Sequence, residues 1–330
     1  MTSGRPDGRR RPWRAARLLV PALILGVLVQ RLGTGPFLAG LRGLGAGTLL
    51  TATAIGAATT VCSAWRWRVV AGVLGMSLSR QTAVAAYYRS QFLNSALPGG
   101  VLGDVHRGVL HGIDAGDLGR GVRAVVWERV AGQVVQVCLT LVVLLTLASP
   151  VRTAMPLVAL ATALAGIVLL VTGRRLLRHG RSRLAGVLRQ AVVEGRDALL
   201  QPGAWPAVLL ASLLVLAGHV AMFLLAAHAA GLSGSVPLVL PLALVVLLAA
   251  AIPLNVGGWG PREGMAAWVF AAAGWGAGTG AAVATAFGVM TWVATLPGAV
   301  VLLHEWLRRD RSGTAHGIRA VTAGVPRGGA

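Results

Sequence analysis

Two stretches place glycine, proline and charge inside otherwise apolar sequence. They are Leu97-Pro98-Gly99-Gly100-Val101-Leu102-Gly103-Asp104-Val105-His106-Arg107 and Ile252-Pro253-Leu254-Asn255-Val256-Gly257-Gly258-Trp259-Gly260-Pro261-Arg262-Glu263. Hydrocarbon tolerates a broken helix or an ionisable group only where protein or a water-filled cavity surrounds it, so both stretches are candidates for one functional site. In the first, Pro98 suits the opening turn of a new half-helix, because its missing N–H has no partner to lose there. Gly99, Gly100 and Gly103 permit unusual dihedrals and close approach of a ligand or helix. Free N–H groups and the positive end of the helix dipole suit an anion such as a lipid phosphate, and Arg107 adds a bidentate contact. Asp104 pairs with Arg107 one turn on or with another arginine; a cationic headgroup or a proton is the other guest open to it. In the second stretch Gly257, Gly258 and Gly260 unwind the backbone, Pro261 restarts a helix, and Arg262 and Glu263 bring opposite charges. Each buried charge costs about 2.5–3.5 kcal/mol at a helix centre, which weighs against idle placement. The bland alternative is that these charges only pair across helix interfaces and hold the fold.

Glu128 and Arg129 lie in Trp127-Glu128-Arg129-Val130-Ala131-Gly132, about one turn into an apolar run. Neighbouring residues do not face each other on a helix, so each needs its own partner; Arg107 or Arg123 would serve Glu128. Asn94, one turn before Pro98, would satisfy carbonyls freed by the break or face a neighbouring helix. Tyr87, Tyr88 and Arg89 read as interfacial anchors. His106 and His111 point to different helix faces, and Cys62 and Cys138 sit alone in apolar runs, so neither a metal site nor a disulfide framework is expected. Neither glycine-rich stretch follows a strand or carries a Gly-Lys-Ser/Thr ending. No cofactor is expected.

The elements that must position these residues follow from composition. Of 330 residues 55% are hydrophobic and 12% charged, which excludes an ordinary soluble domain and reads as an all-α integral membrane protein. The net charge of +20 is carried entirely by arginine, clustered at the ends of apolar runs and not on one surface, so it reads as cytoplasmic topology signals and not as a nucleic-acid footprint. Runs near 18–32, 44–65, 124–148, 154–173, 205–230 and 280–303 approach the roughly 20 residues that a span needs. Residues 81–112 and 237–275 are apolar but interrupted by the two breaks, and read as re-entrant or broken hairpins. The expected architecture is a polytopic bundle of about six spans plus these two hairpins. Counting arginines puts the basic segment 1–17, the basic loop 174–202 and the basic, disordered tail 308–330 in the cytoplasm, with the loop on the anionic leaflet. The order span, span, hairpin, span then occurs twice, each time with an odd number of crossings, which implies an inverted repeat with the breaks in matching places.

At Phe92-Leu93-Asn94-Ser95-Ala96-Leu97-Pro98-Gly99-Gly100 with Gly103, Asp104 and Arg107, at Glu128-Arg129-Val130-Ala131-Gly132, and at Gly257-Gly258-Trp259-Gly260-Pro261-Arg262-Glu263, the chain resembles the lysylphosphatidylglycerol synthase transmembrane, or flippase-like, family. Trp259 stands where a smaller aliphatic residue is expected. The resemblance covers residues 18–307 and implies movement of a charged-headgroup phospholipid between leaflets of the cell membrane, the cargo being an anionic, aminoacylated or polyprenyl-linked lipid. Larger relatives carry a soluble synthase domain; only residues 308–330 follow here, so the expectation is a transporter and not the aminoacyl-transferring enzyme. A membrane-embedded lipid enzyme using Asp104, His106 or Glu263 as acid or base, and a non-transporting partner subunit, are the alternatives.

Overall fold

A computed structural model describes residues 11–147, 193, 195, 201–252, 255 and 258–307. The expected span at 154–173, nearly all of the basic loop 174–202, Gly257, the tail 308–330 and the first ten residues lie outside the described residues. Ten helices are described: α1 (Arg11–Leu32), α2 (Gly35–Arg42), α3 (Ala46–Val73), α4 (Arg80–Ala96), α5 (Leu102–Asp114), α6 (Leu118–Thr146), α7 (Trp205–Ala229), α8 (Val236–Ala250), α9 (Pro261–Ala272) and α10 (Ala277–Thr295). The last continues as apolar helix to Leu307.

Among the described residues four helices are long and apolar enough to cross a membrane: α3, α6, α7 and α10 with its continuation. The expected first span departs from a straight helix. Its apolar part, Ala22–Leu32, meets α2 at 95°, and Gly33 makes the corner at φ +72°, a left-handed conformation that glycine adopts without a Cβ penalty. The bent pair adds a fifth crossing only if it is counted as one span.

The two broken segments are each a pair of short helices. At 17, 13, 15 and 12 residues and 1.5 Å per residue, α4, α5, α8 and α9 reach at most about 26 Å, short of the ~30 Å hydrocarbon core. Within each pair the helices pack on one another. Close crossings rest on missing side chains, as expected where lipid offers no hydrophobic drive for helix association. A Cβ on Gly103 would stand 2.0 Å from the Ser90 carbonyl oxygen, where α5 crosses α4. One on Gly280 would stand 2.2 Å from the Ala266 carbonyl oxygen, where α10 crosses α9.

Helix starts follow local chemistry. Ser79 caps α4 by accepting from the Thr82 N–H at 3.1 Å, and Asp117 caps α6 by accepting from the Arg120 N–H at 2.8 Å, each satisfying an otherwise orphaned donor. Pro261 is the first residue of α9. Pro98, by contrast, sits in an exposed turn four positions ahead of α5, and Val101 holds the position before its first residue without a side-chain cap; the chain uses this proline to leave α4 and not to begin α5.

The main apolar core gathers Phe223 on α7, Val246 on α8, Phe270 on α9 and Phe287 and Met290 on α10. A second cluster joins Trp67, Ala71, Ala83, Tyr87 and Ala124 from α3, α4 and α6. Tyr87 and Arg89, read from sequence as interfacial anchors, are 2% and 7% exposed. Tyr87 meets Glu128 and Arg107 while Arg89 pairs with Glu305 beyond α10, because α4 has packing partners on both of the faces that residues two apart present.

Candidate functional site

The charges of the first half form one alternating chain. Glu128, with no exposed surface, accepts from Arg66 Nε at 2.9 Å, Tyr87 Oη at 3.1 Å and Arg107 Nη2 at 3.1 Å. The same Arg107 nitrogen donates to Asp104 Oδ1 at 3.0 Å. Asp104 also accepts from Ser90 Oγ at 3.0 Å, Asn94 Nδ2 at 3.0 Å and Arg129 Nη2 at 2.9 Å. The order is therefore Arg66, Glu128, Arg107, Asp104, Arg129, with helices α3, α4, α5 and α6 each supplying a member or a ligand. Alternation of sign in this manner lets each ion offset its neighbour's desolvation, the condition under which buried pairs persist. Arg107 is boxed between the ring faces of Trp67 and Tyr87, its guanidinium carbon 4.4 and 4.2 Å from their centroids. Its Nε and Nη1 have no hydrogen-bond partner among the described residues; the π faces are what they meet.

Asn94 has two tasks. It donates to Asp104, and its Oδ1 accepts from the Gly103 N–H at 2.8 Å, which closes the end of α4 onto the start of α5. One further backbone donor at each break is engaged: the Gly260 N–H donates to Glu263 Oε2 at 2.7 Å, and the Gly99 N–H donates to the Asn255 carbonyl at 2.8 Å. That last bond joins the two breaks directly. Gly100, at φ +62°, lies so close to Asn255 that a Cβ would stand 2.5 Å from its Nδ2. The N–H groups of Gly99, Gly103 and Gly260 are thus committed to the fold.

At the second break Arg262 donates through Nε to Glu263 Oε1 at 2.8 Å, with Nη2 on the same oxygen. The guanidinium lies 5.5 Å from the centroids of both Trp259 and Phe287. Gly288 clears its path, since a Cβ there would stand 2.3 Å from Arg262 Nη2. Gly132 does the same for Arg66, with a Cβ 2.7 Å from Nη1. Arginine across a bare glycine is thus used beside each break.

These groups frame a cavity of about 300 Å³ that reaches the two breaks at Gly100, Asn255 and Gly258. Among the described residues its charged lining is Arg66, Arg129 and Arg262, with no carboxylate. Carboxamides of Gln91, Asn94, Gln133, Gln136 and Asn255 share the wall with His219, and Leu216, Leu247, Ala250 and Phe287 supply an apolar side. Asp104, Glu128 and Glu263 stand behind the arginines. Arg107 is enclosed and does not reach the cavity, whereas 45% of the Arg129 side chain is accessible. Of the other residues singled out from sequence, Gly99, Gly103 and Gly260 are buried backbone and Pro98 is exposed.

Arg66 is the member that sequence reasoning missed. Standing in Trp65-Arg66-Trp67-Arg68, it reads as a topology signal, yet it is 5% exposed and also donates to Ser212 Oγ of α7 at 3.1 Å. A signal existed: Thr59, Ser63 and Arg66, spaced by four and three on one helix face, form a polar stripe and are all buried.

Residues 14–298 match the family model described as the lysylphosphatidylglycerol synthase TM region. The chain belongs to this family. Membership covers both breaks and the whole ion network, and together with the apolar helices it makes the chain a multi-pass membrane protein with a lipid-related role. Neither the curated proteins nor the solved structures yield a match.

Proposed function

We propose that this member of the family moves a charged-headgroup phospholipid between the leaflets of the cell membrane, with both termini cytoplasmic and the two broken segments belonging to inversely oriented halves. The observation that carries this reading is a cavity inside a bundle of apolar helices, walled by both breaks and lined, among the described residues, by Arg66, Arg129 and Arg262 without a carboxylate. Three guanidiniums lining one cavity have a purpose if an anionic group visits it, because charge at this depth is costly and the network's acids already serve the arginines from behind. The breaks supply the second requirement. Helices too short to span, joined through the Gly99–Asn255 bond, are elements that could move past one another, the arrangement transporters place at their binding sites. The lipid is moved and not altered in this reading.

The test is leaflet exchange of fluorescent lipids in liposomes holding the purified protein, with Arg262→Ala and Asp104→Ala alongside. Exchange in the wild type that disappears in both variants, each still folded by its melting profile, supports the reading. Wild-type exchange rates in both variants would sink it.

A further inference from the structure

His219, on the membrane-spanning helix α7, is a titratable side chain of the cavity wall that the ion network does not use. Its Nδ1 lies 2.8 Å from the Val215 carbonyl oxygen one turn back. A carbonyl only accepts, so in the neutral ring Nδ1 carries the proton and Nε2 is left as an acceptor. Among the described residues nothing hydrogen-bonds to Nε2, and the ring is half-buried, not enclosed. An atom able to take up a proton near neutral pH is therefore open to whatever enters the cavity.

The groups around the ring decide when it does so. Of the helices packed against α7, α3 brings Arg66 and α6 brings Arg129 to the cavity wall, whereas α8 and α10 contain no titratable residue. The same wall holds Arg262 of α9 and Tyr87 of α4, whose hydroxyl is spent on Glu128. Asp104, Glu128 and Glu263 are held by guanidiniums and do not line the cavity. An imidazolium there would be a fourth cation beside three guanidiniums, which like-charge repulsion opposes. An anionic group held among the three reverses the sign at Nε2. It offsets the guanidiniums and presents an oxygen to which a protonated Nε2 donates. Anion and proton then favour each other's binding, and linkage makes that effect equal in both directions.

We propose that His219 is a proton-binding site coupled to the anionic guest. Nε2 takes a proton from water as a phosphate enters the cavity and returns it to water as the phosphate leaves. The bond made and broken is the N–H at Nε2, and the lipid is unaltered. The proton crosses with the lipid, so a pH gradient drives net lipid movement from the acidic to the alkaline side. That last step rests on the lipid-transport reading; the coupling itself stands on the cavity alone.

The full-length protein, with isotope-labelled histidine, is placed in phosphatidylcholine nanodiscs and titrated between about pH 5 and 8. The probes are dioctanoyl phosphatidylglycerol and, as a free anion, sodium sulfate; neither changes charge in this range. Ring-nitrogen NMR is expected to show the lipid raising the imidazolium fraction of His219 at about pH 6.5 while the other histidines keep theirs. The lipid is expected to bind about tenfold more tightly at the acidic end of the range than at the alkaline end. In His219→Gln that pH dependence is lost, a change that a merely structural histidine would not produce. Calorimetry in buffers of differing ionisation enthalpy reads proton uptake in the wild type without any variant. Zero uptake overturns the proposal, as does an unchanged imidazolium fraction, a pH dependence that survives in folded His219→Gln protein, or binding of neither probe. A response to sulfate where the lipid gives none keeps the coupling and removes the lipid as its source. Leaflet exchange is read separately in liposomes under a pH gradient. Net movement toward the alkaline leaflet, lost in His219→Gln, is expected. Exchange that ignores the gradient keeps transport and overturns the coupling, whereas coupled binding without exchange keeps the proton site and removes transport.

Discussion

Glu128 takes hydrogen bonds from Arg66, Tyr87 and Arg107 with no exposed surface, so truncating it leaves the buried Arg66 guanidinium without a counter-ion and Arg107 with Asp104 alone. Removing one partner of a buried pair costs about 3–5 kcal/mol. Glu128→Ala is expected to lose at least that much, seen as a fall in melting temperature or failure to accumulate in the membrane, and Glu128→Gln to be milder because the carboxamide keeps an acceptor. Asp104→Asn leaves Arg107 its bond to Glu128 and frees Arg129, so its effect should fall on the cavity more than on stability. Gly103→Ala tests the backbone in place of charge. A Cβ 2.0 Å from the Ser90 carbonyl oxygen must push α5 away from α4, and overpacking of this kind costs about 1–3 kcal/mol. A melting profile that Gly103→Ala leaves untouched would refute the close crossing.

At the scale of elements, the contact between the two breaks decides how the short helices act together. The Gly99 N–H bond to Asn255 crosses from the first to the second, and Gly100 meets the Asn255 carboxamide at a positive φ. Gly100→Ala adds both strain and a clash there. Leaflet exchange is expected to slow by more than the drop in melting temperature alone explains, because the damage falls on the junction and not on a core; a variant exchanging at the wild-type rate would separate the junction from transport. Outside the apolar segments, Asp117 is held below the ordinary carboxylate range, first by the Arg120 N–H that it caps and then by the Arg120 and Arg123 guanidiniums. A depressed folded value means that its contribution to α6 is present above the unfolded pKa of about 3.9 and is lost as pH falls through the lower folded value. Acid melting below about pH 4 should therefore become shallower in Asp117→Ala than in the wild type, a slope that a titration of melting temperature reads directly.

Across the whole molecule, a surplus of arginine does two different jobs. Arginines at helix ends give the chain most of its +20, while Arg66, Arg107, Arg129 and Arg262 are drawn inside and matched to three acids. A double exchange, Arg66→Glu with Glu128→Arg, separates a structural from a functional surplus. If the charges only hold helices together, the exchange restores both folding and exchange activity. Because Arg66 lines the cavity and Glu128 does not, the expected result is partial rescue of stability with transport still impaired. Arg89 and Glu305 lie 216 positions apart and tie α4 to the continuation of α10; their double exchange should rescue both properties, since neither lines the cavity.

The apolar runs, the two glycine-proline breaks and the charges within them were legible from order along the chain, because a period of apolar residues and its interruption are local properties. So was the need of Glu128 and Arg129 for separate partners, since adjacent residues on a helix point apart. Arg66, Tyr87 and Arg89 were misread for one shared reason: each sits where a helix passes from an apolar to a charged stretch, and sequence does not say which face the bundle will turn inward. Whether the acids would face the guest or stand behind the arginines was also undetermined. That choice rests on Gly103, Gly132 and Gly288, whose missing side chains let guanidiniums and backbones approach, and on α3 and α7 bringing Arg66 and Ser212 beside α6. Sequence by itself determined a membrane bundle interrupted at two charged breaks; only the packing of distant helices decided the sign of the cavity between them, because that sign depends on which ends of the ion pairs are left facing open space.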